Sequence, residues 1–345
     1  MSVLILTSEQ DATADVVVAK LNGRGVPVVR LAAINSPGRA ALSSEYTHGT
    51  FHGYLSTGSR LVCMRSLRSI WVRRPGIPAS GVAEPSEWPT DESSQLLYAM
   101  LRCTDARWMN HPDAATRARH KPWQLRVAQH SRLPVPATLI TTCPQAARDF
   151  AARFPELVIK SLSGTEPQDP HGVLPTSRGG PDAAFAAVSF GPTLLQRRVS
   201  KRADIRLTAI GNRFFAARKA AGPDLDQSEV DVPYADSTAP WQPVYVPSSI
   251  GDGVRAYLRQ AELFYGSFDF AEDDYGIWWF LECDQSGQFG FVETETGQPI
   301  AQAIADWLTS PGPAEASAHK LPSPRLPSAL PNTAASVVGG SSLDH

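Results

Sequence analysis

Two neighbouring apolar segments in the last third of the chain carry three acidic residues, and they constrain the fold more than any other feature. One segment contains Asp269, and the other is Ile277–Leu281, which is followed by Glu282 and Asp284. Five consecutive apolar residues predict a strand that is covered on both faces. Glu282 and Asp284 are two apart, so they point to the same side of a strand. A hairpin with its turn centred on Tyr275-Gly276 places Asp269 opposite Glu282.

Three carboxylates that converge at the end of a hairpin have two interpretations. They repel one another unless a hard cation neutralises them, and Mg²⁺ binds a few carboxylates together with phosphate oxygens. A hairpin end whose acidic groups are solvated explains the same residues. The segment therefore leaves a metal site and a solvated acidic end as open alternatives.

The beginning of the chain has the order strand, helix, strand. The apolar run Val3–Leu6 predicts a buried strand, an amphipathic helix ends at Gly23 and Gly25, and Pro27–Leu31 predicts a second strand. This order predicts an α/β fold with a Rossmann-like parallel sheet at the N-terminus. The Gly-Arg-Gly sequence follows a helix instead of opening one, so it predicts a helix end and not a dinucleotide-binding motif.

Composition excludes several classes of protein. The 345 residues include 32 basic and 34 acidic side chains, and this balance argues against a nucleic-acid partner, which requires a net basic surface. No apolar stretch approaches the ~20 residues that span a bilayer, and Met1–Thr7 lacks the pattern of a signal peptide. The four cysteines are far apart and show no CxxC spacing, which fits a reducing cytoplasm with neither disulfides nor a structural zinc. We therefore expect a cytoplasmic protein, and the lack of a long apolar stretch predicts no membrane partner.

The pattern along the chain changes twice. Residues 108–112 form a turn-rich junction, so we expect an N-terminal domain over 1–112 and a second folded region over 113–310. The segment 311–345 contains six prolines, six serines and no Phe, Trp or Tyr. Such a segment cannot bury enough apolar surface to offset its loss of entropy on ordering, and we predict that it is a disordered tail.

Several basic residues are candidates for binding an anion. Lys160 ends an apolar strand and precedes the polar loop 161–180, which is typical of phosphate binding, although a solvated lysine fits at least as well. Lys121 lies in a predicted helix, where most lysines are surface groups. Asp204 and Arg206 are two apart on a predicted strand. A buried arginine needs an anion, so a structural Asp–Arg pair is the first interpretation.

A second group of basic residues lies in the N-terminal domain, at Arg65, Arg68, Arg73 and Arg74. This basic cluster has the charge to receive an acidic peptide. A solvated basic face explains the same residues and is the commoner meaning of such a run.

Taken in order, these residues resemble the ATP-grasp ligases. A narrower resemblance is to the ATP-grasp maturases of ribosomal peptides, the graspetide or microviridin-type peptide ligases, and it extends from about Met1 to Leu308. The motifs that carry it are Trp71-Val-Arg-Arg-Pro, Asn110-His-Pro, Lys121-Pro-x-Gln-Leu, Leu133-Pro-Val-Pro-x-Thr-Leu-Ile, Gln196-x-x-Val, Lys201-x-x-Asp-Ile-Arg, Leu281-Glu-x-Asp-x-x-Gly-Gln and Glu295-Thr-Gly-x-Pro-Ile-Ala.

The resemblance implies a fold and an activity. It implies an N-terminal Rossmann-like pre-ATP-grasp domain followed by a two-lobed ATP-grasp fold, with a central lobe over about 113–190 and a C-terminal lobe over about 191–310. Such enzymes use ATP to convert a side-chain carboxylate of a precursor peptide into an acyl phosphate. A Thr or Ser hydroxyl or a Lys amine of the same peptide then closes an ω-ester or ω-amide ring. A precursor peptide with a leader segment and a homodimeric assembly are the implied partners.

The resemblance also implies roles for individual residues. Arg206 would stabilise charge on the transferred phosphoryl group, and Asp204 would belong to the nucleotide site. The metal ligands for two Mg²⁺ ions would be Asp269, Glu282 and Asp284. The remaining contacts to ATP would come from Lys121 and Lys160 at the phosphates and from Gln196, Arg198 and Val199 at the adenine.

Two departures from the family pattern leave alternatives open. The third metal ligand is usually an Asn followed by Pro, whereas this chain has Asp284 followed by Gln285. Asp231-Val-Pro stands where relatives often carry Asp-Trp-Arg, so Asp231 is a weak candidate for a substrate contact. A ligase for a small molecule or an amino acid is one alternative. The other is a catalytically weakened protein that binds peptide under the control of a nucleotide.

Overall fold

The computed structural model of the chain describes residues 1–32, 40–57, 60–74, 88–162, 177–179, 185–221 and 239–310. Asp231, the tail 311–345 and most of the loop 161–180 lie outside these residues, as does the side chain of Arg74. Within the described ranges, no helix has the length and apolar character needed to cross a membrane.

The elements of the N-terminal part are β1 (Ser2–Thr7), α1 (Ala12–Gly23), β2 (Val28–Leu31), β3 (Ala40–Thr47), β4 (Thr50–Thr57), β5 (Arg60–Cys63), β6 (Leu67–Arg74), α2 (Trp88–Arg102) and β7 (Arg107–Met109). Four of the strands form a parallel sheet in the order β2-β1-β6-β7. A separate antiparallel sheet has the order β3-β4-β5, and a short 3-10 helix, Met64–Ser66, precedes β6. The predicted strand–helix–strand order at the N-terminus is therefore confirmed.

The carboxyl ends of parallel strands lie on one edge of a sheet. In this sheet that edge carries Thr7 at the end of β1, Arg73 near the end of β6, and Asn110 directly after β7. All three side chains are buried. This edge faces the candidate site described below.

The elements in the middle of the chain are α3 (Pro112–Ala118), α4 (Lys121–His130), β8 (Thr138–Thr141), α5 (Pro144–Arg153), β9 (Leu157–Lys160), β10 (Ser177–Gly179) and β11 (Thr193–Arg197). The strands form a further sheet in the order β10-β9-β11-β8, with antiparallel pairing. Phe150 of α5 packs with Leu157 and Leu195 in its core, together with the short 3-10 helix Phe185–Phe190.

The elements in the last third are β12 (Lys201–Ile210), β13 (Arg213–Ala220), β14 (Gln242–Pro243), α6 (Ser248–Ala261), β15 (Tyr265–Asp273), β16 (Trp278–Asp284), α7 (Gly290–Thr296) and α8 (Ile300–Thr309). The strands form an antiparallel sheet in the order β14-β13-β12-β15-β16, and residues 198–200 connect this sheet to β11 without strand structure. One face packs against α4 and α6, and part of the other packs against α1, α7 and α8.

Alternation along the strands determines which side chains point away from the core and can form a polar face. Ile205 on β12, Phe268 on β15 and Cys283 on β16 point into the core beside α4 and α6. Their neighbours Arg206 and Asp269 point to the opposite face, as do Glu282 and Asp284. The polar face of this sheet is therefore a consequence of the same alternation that builds its core.

The predicted hairpin is confirmed, with one local difference. Asp269 pairs with Glu282, but a register shift follows, so Phe270 pairs with Phe280 and Leu281 is an extra residue. Such a bulge bends a strand and is common beside functional sites. The strand also begins one residue later than predicted, because the main-chain nitrogen of Ile277 donates to Asp273 Oδ1 in the turn.

Candidate active site

Arg206 and Asp269 form the centre of the polar face. They lie directly opposite each other on β12 and β15. Arg206 Nη1 donates to both carboxylate oxygens of Asp269 at 2.6 Å, and Nη2 donates to the main-chain oxygen of Gln288 at 3.4 Å. The Arg206 side chain is 15% exposed, so this ion pair is screened by water far less than a surface pair.

Glu282 contacts a lysine that comes from outside the sheet. Lys121, the first residue of α4, places its Nζ 3.3 Å from Glu282 Oε2. Burial acts to raise the pKa of Glu282, but the positive charges of Lys121 and Lys160 hold it below its ordinary value. Lys160 ends β9 in the middle sheet. Both predicted phosphate-binding lysines therefore act on the same carboxylate of β16, that of Glu282.

The three acidic residues also influence one another. Burial raises the pKa of Asp269 to about 6, and the negative charges of Glu282 and Asp284 also act to raise it. The positive charge of Arg206 and its hydrogen bonds act to lower the same pKa. Asp284 is oriented by the next turn of chain, since its Oδ1 accepts a hydrogen bond of 2.9 Å from the main-chain nitrogen of Ser286. The hairpin therefore places Asp269 opposite Glu282, as predicted, with Asp284 two residues further along β16.

The chemistry of these side chains fits Mg²⁺. They supply hard oxygen donors on one face of β15 and β16, and a cation would neutralise carboxylates whose repulsion adds to the effect of burial on the pKa of Asp269. In the described part of the chain, no group of three or more His, Cys, Asp or Glu side chains is arranged to hold a metal ion by itself. Mg²⁺ ordinarily binds one or two carboxylates and takes further oxygens from substrate phosphates.

The residues predicted to meet adenine lie on β11 and the linker after it. Gln196 is buried, and its Nε2 donates to Thr138 Oγ1 at 2.9 Å. Arg198 forms a 3.0 Å ion pair with Glu156, and its main-chain nitrogen donates to the Glu156 main-chain oxygen. Val199 is half-buried and lies in the linker between β11 and β12.

Asp204 does not form the local pair with Arg206 that its spacing suggests. Its Oδ1 accepts a 2.9 Å hydrogen bond from Lys201 Nζ, and the partner of Arg206 is Asp269 on the neighbouring strand. The Asp–Arg interpretation is therefore right about the need for an anion and wrong about which residue supplies it.

Arg73 lies inside the protein and not on the expected basic surface. It is 2% exposed, its Nη1 donates to the Ser286 main-chain oxygen, and its Nη2 donates to Gln288 Oε1 at 2.6 Å. Its Nε lies 3.7 Å from Asp11 Oδ2. Arg73 thus ties the carboxyl edge of the parallel sheet to the segment between β16 and α7, and that segment also contacts Arg206.

Two further residues organise the site, although their motifs alone assigned them no role. The Asn110 side chain donates to the main-chain oxygens of Tyr265 and Gln285 and accepts from two main-chain nitrogens at the start of β15. Gln124 hydrogen-bonds both main-chain groups of Cys283. The sequence signal for Asn110 and Gln124 was their presence in the motifs Asn110-His-Pro and Lys121-Pro-x-Gln-Leu. Their partners lie about 150 residues away, so the motifs alone could not identify them.

Two antiparallel sheets are joined by the short linker 198–200, and the charges of Lys121 and Lys160 act on Glu282 of the second of these sheets. The chain shares its fold with solved structures of ATP-grasp ligases. It is similar to a RiPP-associated ATP-grasp ligase from Chryseobacterium gregarium in complex with ADP and a leader and core peptide, with 21% identity and a TM-score of 0.77 over 89% of this chain and 96% of that one.

Two macrocyclases from Microcystis aeruginosa MRC are also similar. MdnC, bound with precursor peptide MdnA, is 23% identical with a TM-score of 0.77 over 90% of this chain and 99% of that one. MdnB is 25% identical with a TM-score of 0.70 over 89% and 99%. Neither a protein-family model nor a curated protein matches the chain. The chain therefore has the ATP-grasp fold of these ligases, which confirms the resemblance drawn from its sequence motifs.

Proposed function

We propose that this protein is an ADP-forming ATP-grasp ligase that closes rings in a ribosomal precursor peptide. It activates Asp or Glu side-chain carboxylates as acyl phosphates and joins them to Thr or Ser hydroxyls as ω-esters, or to Lys amines as ω-amides. One observation carries the proposal: Arg206, Asp269 and Glu282 lie side by side on the three adjacent strands β12, β15 and β16, and Lys121 contacts Glu282. The fold around this row is shared with ligases solved with ADP and precursor peptides.

The nucleotide contacts follow from the positions of the charged groups. Lys121 and Lys160 would hold the ATP phosphates, and Gln196 with the main chain of Arg198 and Val199 would meet the adenine. Asp204 would contribute to the nucleotide site by holding the Lys201 side chain, whose Nζ donates to Asp204 Oδ1. Asp269, Glu282 and Asp284 would hold two Mg²⁺ ions, which would neutralise charge on the phosphates.

The proposed reaction has two steps. A carboxylate oxygen of the peptide attacks the γ-phosphorus, the bond to the β-phosphate oxygen breaks, and ADP leaves. The hydroxyl or amine of the same peptide then attacks the acyl carbon, loses its proton, and displaces inorganic phosphate. Arg206 would stabilise the charge on the transferred group in both steps, which is electrostatic catalysis by a preorganised guanidinium.

We infer the domain organisation from the same comparison. Residues 1–112 would form a Rossmann-like pre-ATP-grasp domain, and 113–310 the ATP-grasp unit, divided near residue 190. The buried position of Arg73 makes it a support for the site, so it is a weaker candidate for contact with peptide than Arg74 or Asp231. A homodimer and a cytoplasmic location complete the proposal.

The test is to incubate the protein with Mg²⁺, ATP and the candidate precursor. The precursor would be sought as a short reading frame beside the gene that encodes repeated Thr and Asp or Glu. The proposal predicts loss of one water from the peptide per ring, with formation of ADP. ATP turnover without dehydrated peptide would contradict it and favour the nucleotide-controlled binding protein.

A further inference from the structure

Gln124 reaches the acidic strand from a neighbouring helix. It is 5% exposed, and its side-chain amide makes three hydrogen bonds. Its Nε2 donates to the main-chain oxygens of Ala118, at 2.9 Å, and Cys283, at 3.0 Å, and its Oε1 accepts from the Cys283 main-chain nitrogen at 2.9 Å. One side chain thereby occupies both main-chain groups of the residue between Glu282 and Asp284.

The place of β16 in the sheet explains why this contact matters. In the described sheet, β16 lies at the edge, so its outer main-chain groups have no partner strand. Cys283 is paired with Phe268 on the inner side, and its side chain is buried in the core beside α4 and α6. The outer main-chain groups of an edge strand need partners from other elements, and the main-chain nitrogen of Phe280 donates to the main-chain oxygen of Pro134 at 2.7 Å. Gln124 supplies such a partner to both main-chain groups of Cys283.

The same helix supplies a charge to the same strand. Lys121 and Gln124 are three residues apart, so they lie on one side of α4. Lys121 contacts the Glu282 carboxylate, and Gln124 fixes the main chain next to it. The first turn of α4 therefore sets both the electrostatic environment and the position of Glu282.

We propose that Gln124 is a positioning residue for the metal site, which holds Glu282 and Asp284 on the polar face by fixing the main chain of Cys283. The inference rests on the proposed function, because it takes these two carboxylates as Mg²⁺ ligands. Groups that orient metal ligands typically change metal affinity by about tenfold to a hundredfold when they are replaced.

The test is Mn²⁺ binding in the presence of ADP, measured on the full chain from the loss of the free Mn²⁺ signal in electron paramagnetic resonance. Gln124→Met keeps the size of the side chain and removes all three hydrogen bonds, and Gln124→Glu keeps only the acceptor. We expect the Mn²⁺ concentration at half-saturation to rise roughly tenfold or more in each variant that retains a native circular dichroism spectrum. Half-saturation at the wild-type concentration in either folded variant would overturn the inference.

Three comparisons separate positioning from other effects. Gln129→Met, which changes an exposed glutamine on the same helix, should bind Mn²⁺ like the wild type. Excess Mg²⁺ should restore kcat in Gln124→Met, whereas a general loss of folded protein would lower kcat at every Mg²⁺ concentration. Glu282→Gln tests the proposed function itself: wild-type Mn²⁺ binding in that variant would reject the metal site, and weakened binding there with normal binding in Gln124→Met would reject only the role of Gln124.

Discussion

Arg206 and Asp269 face each other on adjacent strands, and one guanidinium nitrogen donates to both carboxylate oxygens at 2.6 Å. The pair combines a proposed catalytic cation with a proposed metal ligand. In the proposed complex, a cation at Asp269 would take over part of the neutralisation that Arg206 provides, and the guanidinium would be available to the phosphoryl group. The pairing thus keeps both charges stable in a partly buried place before substrates bind.

The first prediction concerns Arg206. Arg206→Lys keeps the positive charge and removes the planar arrangement of donors. We expect ring formation to slow by about a hundredfold to a thousandfold, because electrostatic stabilisation of the transferred group depends on donor placement. The rate of peptide dehydration under single-turnover conditions is the measurement.

A matched control is Arg213→Lys on β13. Arg213 forms a 2.7 Å ion pair with Asp306 at the surface, where such pairs contribute little. An unchanged rate in Arg213→Lys is expected, and an equally unchanged rate in Arg206→Lys would remove Arg206 from the catalytic residues.

The second prediction concerns Lys160. Lys160→Ala removes a charge that acts on Glu282 and, in the proposal, on the ATP phosphates. Ring formation should be lost, and the dissociation constant for ATP should rise, as measured by titration calorimetry. Lys20→Ala on α1 serves as the control and should behave as the wild type. If Lys160→Ala still forms rings at the normal rate, the proposed phosphate site is wrong.

The third prediction concerns the buried pair of Arg73 and Asp11. Arg73→Met removes a positive charge beside the buried Asp11 carboxylate, on which Arg30 also acts. Removing one partner of a buried ion pair typically destabilises a protein by about 3 kcal/mol, and the remaining charge of Arg30 should reduce that cost. Chemical denaturation at pH 7 measures the free energy of unfolding. The double variant with Asp11→Asn should recover part of the loss, and no difference between the single and double variants would show that the two groups are not coupled.

The pH dependence of this effect has a definite sign. Burial acts to raise the pKa of Asp11, but the hydrogen bond from Thr7 and the charge of Arg73 hold it below its ordinary value of 3.8. A lowered pKa in the folded state contributes stability above the ordinary pKa, and this contribution is lost as the pH falls through the folded value. The cost of Arg73→Met should therefore be largest near neutral pH and shrink below about pH 4.

The fourth prediction concerns the C-terminal segment. Residues Met1–Ser310 form one compact unit, and 311–345 has the composition of a disordered tail. Deleting 311–345 should leave both the melting temperature and the rate of ring formation unchanged. A large loss of either would show that the segment contributes to the folded unit or to the reaction.

The sequence predicted the pair Asp269 and Glu282, but local rules explain only part of the observed register. Alternation and a turn centred on Tyr275-Gly276 predict the pair, whereas the observed turn is centred on Tyr275, since Glu272 pairs with Trp278, and the extra residue Leu281 restores the pairing. The bulge at Leu281 was not predictable in this way, because it changes the register without changing the apolar pattern.

Other features depended on contacts between distant parts of the chain. The spacing of Asp204 and Arg206 suggested a local pair, but the anion comes from Asp269 on a strand that is remote in sequence. Arg73 lies in a basic run, which commonly indicates a surface, yet its partners include Ser286 and Gln288. No local pattern records such long-range partners, so the burial of Arg73 could be seen only in the folded chain.

The most direct test of the central claim is the fate of oxygen from the activated carboxylate. The precursor peptide is prepared with oxygen-18 in the Asp or Glu side chains that form rings, and it is incubated with the enzyme, Mg²⁺ and unlabelled ATP. An acyl phosphate intermediate predicts one oxygen-18 atom in each inorganic phosphate released with ring closure, as measured by mass spectrometry. Ring closure with unlabelled phosphate would contradict the mechanism.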